Sequence, residues 1–142
     1  MNDGELRQAM SVLEAYNRQL ETLNRQTQVL QASLDDLLRA RDTLKAVKEG
    51  KEGDELLLPI GAATYINVRL TGETKVVLGI GAKVLVEKEI DDAVDYISEA
   101  GNDCSEALKS TLTALQEIEA NTQQLSAAVQ EEYRQRQAAM GR

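Results

Sequence analysis

Leu6, Leu13, Leu20, Thr27 and Leu34 stand seven residues apart, and so do Ala9, Tyr16, Leu23, Leu30, Leu37 and Leu44. The two sets interleave with alternating steps of three and four, which puts them on one stripe of a helix. This seam runs from residue 6 to 44, broken mainly by Arg41. A second seam follows, in which Ile90, Ile97, Cys104, Thr111, Ile118 and Leu125 alternate with Val94, Gly101, Leu108, Leu115, Thr122 and Val129. A narrow stripe of this kind has to be covered by another helix. The chain must therefore pair its two arms with each other or with arms of other copies.

The ends of both arms carry helix signals. Asp3 and Glu5 stand before the first seam, and Lys45, Lys48 and Lys51 close it, matching the helix dipole. Gly50 and Gly53 then stop the helix. Asp91 and Asp92 lie in the expected first turn of the second arm, while Arg134, Arg136 and Arg142 crowd its end. Each arm of about 45 residues measures roughly 65–70 Å at 1.5 Å per residue.

A single compact insert joins the arms, so an antiparallel hairpin is the economical pairing. Setting Leu44 against Val94 brings Leu37 to Gly101, Leu34 to Cys104, Leu30 to Leu108, Thr27 to Thr111, Leu23 to Leu115 and Tyr16 to Thr122. Several layers oppose a large residue to a small one, as close packing requires. A dimer of extended rods is the alternative. Cys104 reads as a small buried seam residue.

Toward the termini this register runs out. Leu6 falls against Glu132, Arg136 has no partner, and the last good layer is Ala9 with Val129. Fraying is expected beyond it. Met1, Leu6, Met10, Leu13, Val129, Tyr133 and Met140 are then exposed or easily exposed. Burying one such side chain contributes about 1.5–3 kcal/mol. A group of them points to a binding tip, and ordinary end-fraying is the competing explanation.

Between the arms the period changes. Strand-like segments read at 56–60, 63–70, 74–80 and 83–87. Thr64, Ile66, Val68 and Leu70 share one face, as do Val76, Leu78 and Ile80. A loop at Thr71-Gly72-Glu73 is expected to set Val68 opposite Val76 and Ile66 opposite Leu78. Another reversal is expected around Gly79-Ile80-Gly81-Ala82. Two hairpins are too small to stand alone in water, and their edges leave backbone groups unpaired. "KVVLGIGAKVLVE" is apolar on both faces, so both need cover from other chains. The insert thus reads as an assembly module. Its interface residues are Ile60, Tyr65, Ile66, Val68 and Leu70 in the first half, then Val76, Val77, Leu78, Ile80, Val84, Leu85 and Val86. The expected organisation is a helical arm at 1–50, a β-hairpin region at 51–88 and a helical arm at 89–142. The fold class is mainly α: a long antiparallel two-helix coiled coil whose two central β-hairpins oligomerise into a β-barrel body.

Composition narrows the function. The chain has no His, Phe or Trp and a single Cys, with a formal net charge of −8. That charge argues against nucleic acid or an anionic membrane as partner. It serves solubility or favours a basic partner. No catalytic residue, metal site or cofactor site is expected, because clusters of His or several Cys are absent. Asp35-Asp36 and Asp91-Asp92 are neighbours on helices and point about 100° apart. "GIGAK" lacks the spacing of a phosphate-binding loop. Nothing resembles a signal peptide or a membrane span, so a soluble cytoplasmic protein is the expectation.

The segments "LLLPIGAATYINVRL" at 56–70 and "KVVLGIGAKVLVEKEIDDAVDYI" at 75–97, set between two heptad arms, resemble prefoldin. Two hairpins rather than one resemble its α-type subunit. The likeness covers essentially the whole chain. Its specific part is the insert, since any coiled coil looks like the arms. The resemblance implies a hexamer of two α-type and four β-type subunits, with a double β-barrel body and six coiled coils. It implies capture of non-native proteins at the coiled-coil tips and transfer to a group II chaperonin in the cytosol, without ATP hydrolysis by prefoldin. The expected function is that of an ATP-independent holdase subunit, not an enzyme. The competing reading is a structural coiled-coil adaptor that oligomerises through its insert and binds one folded partner.

Overall fold

The computed structural model describes residues 1–141, and Arg142 lies outside the described residues. Two helices frame four strands: α1 (Asp3–Glu49), β1 (Glu55–Gly61), β2 (Thr64–Arg69), β3 (Lys75–Gly81), β4 (Val84–Glu89) and α2 (Ile90–Met140). They form two compact units. One combines Met1–Gln31 with the stretch from Glu106 onward, and the other is Ala32–Ser105.

Asn2 starts α1. Its Oδ1 accepts from the Glu5 amide and its Nδ2 donates to the Glu5 carboxylate, both at 2.8 Å. This reciprocal cap satisfies a backbone donor that the helix itself cannot pair. At the other end the Gly50 amide donates to Ala46 O at 3.1 Å and to Val47 O at 3.2 Å. A side chain at Gly50 would collide with Leu70, which lies against the helix end.

Every position of both predicted seams is buried or half-buried. Leu6, Ile90, Ile97, Leu108 and Val129 are the most enclosed of the large ones. The seam threonines leave no orphan donor, because each bonds the carbonyl one turn back in its own helix. Thr27 donates to Leu23 O at 2.9 Å, Thr111 to Ala107 O at 2.9 Å and Thr122 to Ile118 O at 2.6 Å. The pairing is intramolecular and antiparallel. In the first unit Arg136 reaches Asp3, and in the second Lys48 reaches Asp91. Ala93, outside the predicted seam, is fully buried. The start of α2 thus turns a wider face inward, because it meets the hairpins as well as α1. Leu44, Leu58, Pro59, Val76, Leu78, Ala93 and Ile97 line one groove of about 410 Å³ there.

The hairpins correct the expected strand pairing. β1 pairs with β2, setting Leu56 opposite Val68 and Leu58 opposite Ile66. β3 pairs with β4, setting Val76 opposite Lys88 and Leu78 opposite Val86. The two sheets are separate, so Val68 does not face Val76 and Ile66 does not face Leu78. Chain reversal happens instead at Ala62-Ala63, with φ of 50° and 54°, and at Ala82-Lys83, with φ of 49° and 61°. Consecutive left-handed residues twist the turn in the sense that two-residue hairpins need. The second reversal therefore comes slightly later than the Gly79–Ala82 stretch. At Thr71–Thr74 the chain crosses between sheets, and the Glu73 carboxylate accepts from the Thr74 and Lys75 amides at 3.2 Å each.

Hydrogen bonds outside the strands tie the end of the first hairpin to the linker after α1 and the start of the second to α2. Gly53 N donates to Leu70 O at 2.7 Å, and Leu70 N donates to Asp54 O at 2.9 Å. Ile90 N donates to Thr74 O at 2.9 Å, so the second ladder runs into the first residue of α2. No helix among the described residues is long and apolar enough to cross a membrane.

Candidate assembly face and helix tip

In each hairpin the pleat sends alternate side chains to opposite faces. Leu56, Leu58, Val68, Val76, Leu78 and Val86 are half-buried by their own chain. The expectation that both faces need cover from other chains is therefore corrected. One face already meets the helices, so Val68, Val76, Leu78 and Val86, together with Leu70 beside the end of α1, are partly covered within the subunit.

The other face is bare. Leu57 is 61% exposed, Tyr65 60%, and Val77 and Leu85 69% each. Near the turns Ile60, Ile66, Ile80 and Val84 are exposed too, although Ile66, opposite Leu58, and Val84, two residues from Val86, belong to the inner face. Large apolar side chains left exposed together on a sheet face mark an interaction site. Each strand also has one edge without a strand partner among the described residues, so backbone groups add to the demand for a neighbour. Leu57 escaped the sequence reading because it sits inside the run Leu56-Leu57-Leu58. Strict alternation, applied from Leu58, would have placed it outward.

The tip belongs to the first unit. Leu6 and Val129 are each only 7% exposed, and Leu13 is half-buried. Met1, Met10, Tyr133 and Met140 are exposed, Met140 at 87%. The expected fraying is thus corrected. Leu6 and Val129 sit inside the packed seam, and α1 and α2 stay paired as far as Arg136, beyond which residues 137–140 are exposed. Arg136, expected to lack a partner, donates to Asp3 Oδ1 at 2.6 Å, Glu132 Oε1 at 3.0 Å and Met1 O at 3.0 Å. The Met1 amino group donates to Glu132 Oε2 at 3.3 Å. Hydrogen bonding from Arg136 is the main cause that holds the Glu132 carboxyl below its ordinary range, helped by the amino terminus. One turn inward, the Tyr133 hydroxyl donates to the Met10 sulfur at 3.3 Å.

A family model described as "Prefoldin subunit" matches residues 16–135. A protein described as prefoldin subunit alpha from Methanococcus aeolicus is 26% identical over 99% of this chain and 95% of its own length. The corresponding Methanoregula boonei protein is 27% identical over 95% of this chain and 88% of its own length. For the Methanococcus maripaludis C5 relative, 31% identical, the match spans 62% of that protein, less than two thirds of its length. Among solved structures, a chain of filamentous prefoldin from Methanocaldococcus jannaschii superposes with a TM-score of 0.63 at 26% identity, covering 82% of this chain and 97% of its own. The prefoldin beta subunit from Thermococcus strain KS-1 shares the fold, with a TM-score of 0.60 at 16% identity over 90% of this chain and 91% of its own.

Proposed function

The chain belongs to the prefoldin family and matches its α-type subunits across most of its length, and from that premise we propose that it is the α-type subunit of an ATP-independent holdase. In this reading it joins β-type subunits in a hexamer of two α-type and four β-type chains. The coiled-coil tips capture non-native polypeptides, which pass to a group II chaperonin in the cytoplasm. The observation that carries the reading is the bare outward face of the hairpins, centred on Leu57, Tyr65, Val77 and Leu85. Such a surface is stable in water only when neighbouring chains cover it. The tip contributes adaptable side chains, Met10 and Met140, which suit varied partners. Several weak sites held on one body gain avidity from their high effective concentration. The client-binding residues are then Met1, Met10, Tyr133 and Met140 on the closed tip, with Leu6, Leu13 and Val129 behind them. No step of this function requires covalent chemistry.

The test mixes the chain with a β-type subunit and measures native mass. The complex is then assayed for delaying aggregation of several unrelated unfolded proteins without nucleotide. A hexamer that protects several clients supports the reading, and assembly without protection defeats the holdase part. The second reading, a scaffold built through the hairpins, draws on the likeness to a filamentous prefoldin. It expects large homo-oligomers of this chain alone and no effect on unfolded clients.

A further inference from the structure

Arg136 links both ends of the chain. Its guanidinium bonds Asp3 and the Met1 carbonyl on one arm and Glu132 on its own helix. The Arg136 and Glu132 side chains keep 35% and 14% of their exposure, so they lie against the tip while their charges still meet water. Next to these charges along each helix stand Leu6 and Val129, both buried. Met10, one turn inward of Leu6 on α1, and Tyr133, one turn nearer the tip than Val129 on α2, are exposed although they touch each other. The tip therefore combines a closed apolar layer, an open apolar pair and a charge network that spans the two helices.

We propose that Arg136 is an electrostatic latch: by joining Asp3 to Glu132 it holds the tip shut over Leu6 and Val129, and its release uncovers these side chains for an unfolded polypeptide. The inference rests on the reading of the tip as the client-binding end. Two physical features suit the network to this role. Its Asp3 arm is open to water, 81% exposed, so it holds weakly and salt screens it. An incoming apolar segment can re-bury Leu6 and Val129, so the hydrophobic loss of opening is recovered on capture and the charge network sets the threshold. Shut, the latch also keeps two aliphatic side chains out of water and limits contact between the tips of free assemblies.

The experiment uses the full-length chain in its native assembly and compares wild type with Arg136→Gln and Asp3→Asn. Hydrogen exchange is followed in the first and last turns of the coiled coil at low and high salt. Affinity is measured for reduced, carboxymethylated lactalbumin, a permanently unfolded probe. Asp3→Asn leaves the Arg136–Glu132 bond within α2 intact, so it separates the latch from simple helix stability. At low salt both variants should exchange tip amides and bind the probe roughly threefold more readily, the scale expected for one partly exposed ion pair. Wild type should approach them as salt rises, and the variants should be nearly insensitive to salt. Unchanged tip exchange in both variants overturns the latch, as do opened tips that bind the probe no better. If wild type binds no unfolded probe at any salt, the client reading fails, and tip exchange alone still decides whether Arg136 closes the tip.

Discussion

Gly61 and Gly81 hold the same backbone shape, φ of 106° and 108°, at the same place in two successive hairpins. Each sits where the ladder slips by one residue, between Pro59 and Gly61 and between Gly79 and Gly81. Each is followed by two non-glycine residues that are also left-handed. Left-handed backbone costs an L-residue roughly 1 kcal/mol and glycine almost nothing. Ala63→Gly and Lys83→Gly should therefore each stabilise their hairpin by up to about 1 kcal/mol. Gly61→Ala should destabilise by a similar amount through strain alone, since a Cβ there meets nothing within 4 Å. Thermal unfolding of the assembled protein reads both signs. A stabilising Gly61→Ala would contradict the account.

Leu108 and Leu112 lie one turn apart on α2, yet Leu108 is 9% exposed and Leu112 39%. Only the first belongs to the seam. Leu108→Ala removes buried methyl groups and leaves a gap between two helices with no other core to relax into. The expected loss is about 2–3 kcal/mol, the low end for buried leucine because a two-helix seam borders water. Leu112→Ala should change stability by less than about 0.5 kcal/mol, as surface changes usually do. Denaturant unfolding of the two variants checks the contrast, and equal losses would mean that the seam does not carry the coil.

The seams are legible in the sequence residue by residue. Burial in a paired helix repeats every seven positions, so the period survives even polar members such as Thr27 and Thr122. The number of hairpins is legible too, but not which strands pair. Thr71-Gly72-Glu73 has ordinary turn chemistry, whereas the real turns use Ala62-Ala63 and Ala82-Lys83, residues that rarely adopt positive φ. Alternation alone fits either pairing. The tip network was invisible for a different reason. Asp3 lies off the heptad stripe, and Arg136 continues it as a charge seven residues after Val129, so hydrophobic periodicity says nothing of how these two distant residues pair.

Leu57 and Val77 point outward from β1 and β3 and are 61% and 69% exposed. Leu57→Asp and Val77→Asp leave the inner face untouched, so the chain should keep its helical content. Assembly should fail, because an unpaired carboxylate buried at an interface has no partner. Sedimentation together with circular dichroism separates the outcomes. Unaltered assembly of both variants would place the subunit contacts elsewhere. Loss of helix would mean that the outward face also supports the monomer.

Glu132 sets a pH dependence whose sign follows from its surroundings. Its carboxyl is held below the ordinary value of 4.5, first by hydrogen bonding from Arg136 and then by the amino terminus. A group whose folded value is depressed adds stability above its unfolded value and loses it as pH falls through the folded value. Tip protection against hydrogen exchange should thus stay level from pH 7 to about 5 and decline below about 4. Glu131 is lowered as well, by hydrogen bonding from Arg134 within α2, but it bonds nothing on α1, so its protonation should loosen the helix end without parting the arms. Glu132→Gln tests the assignment. It should start with weaker tip protection at neutral pH and show a shallower decline on acidification. A variant with wild-type protection at pH 7 and an unchanged acid decline would show that Glu132 does not hold the tip.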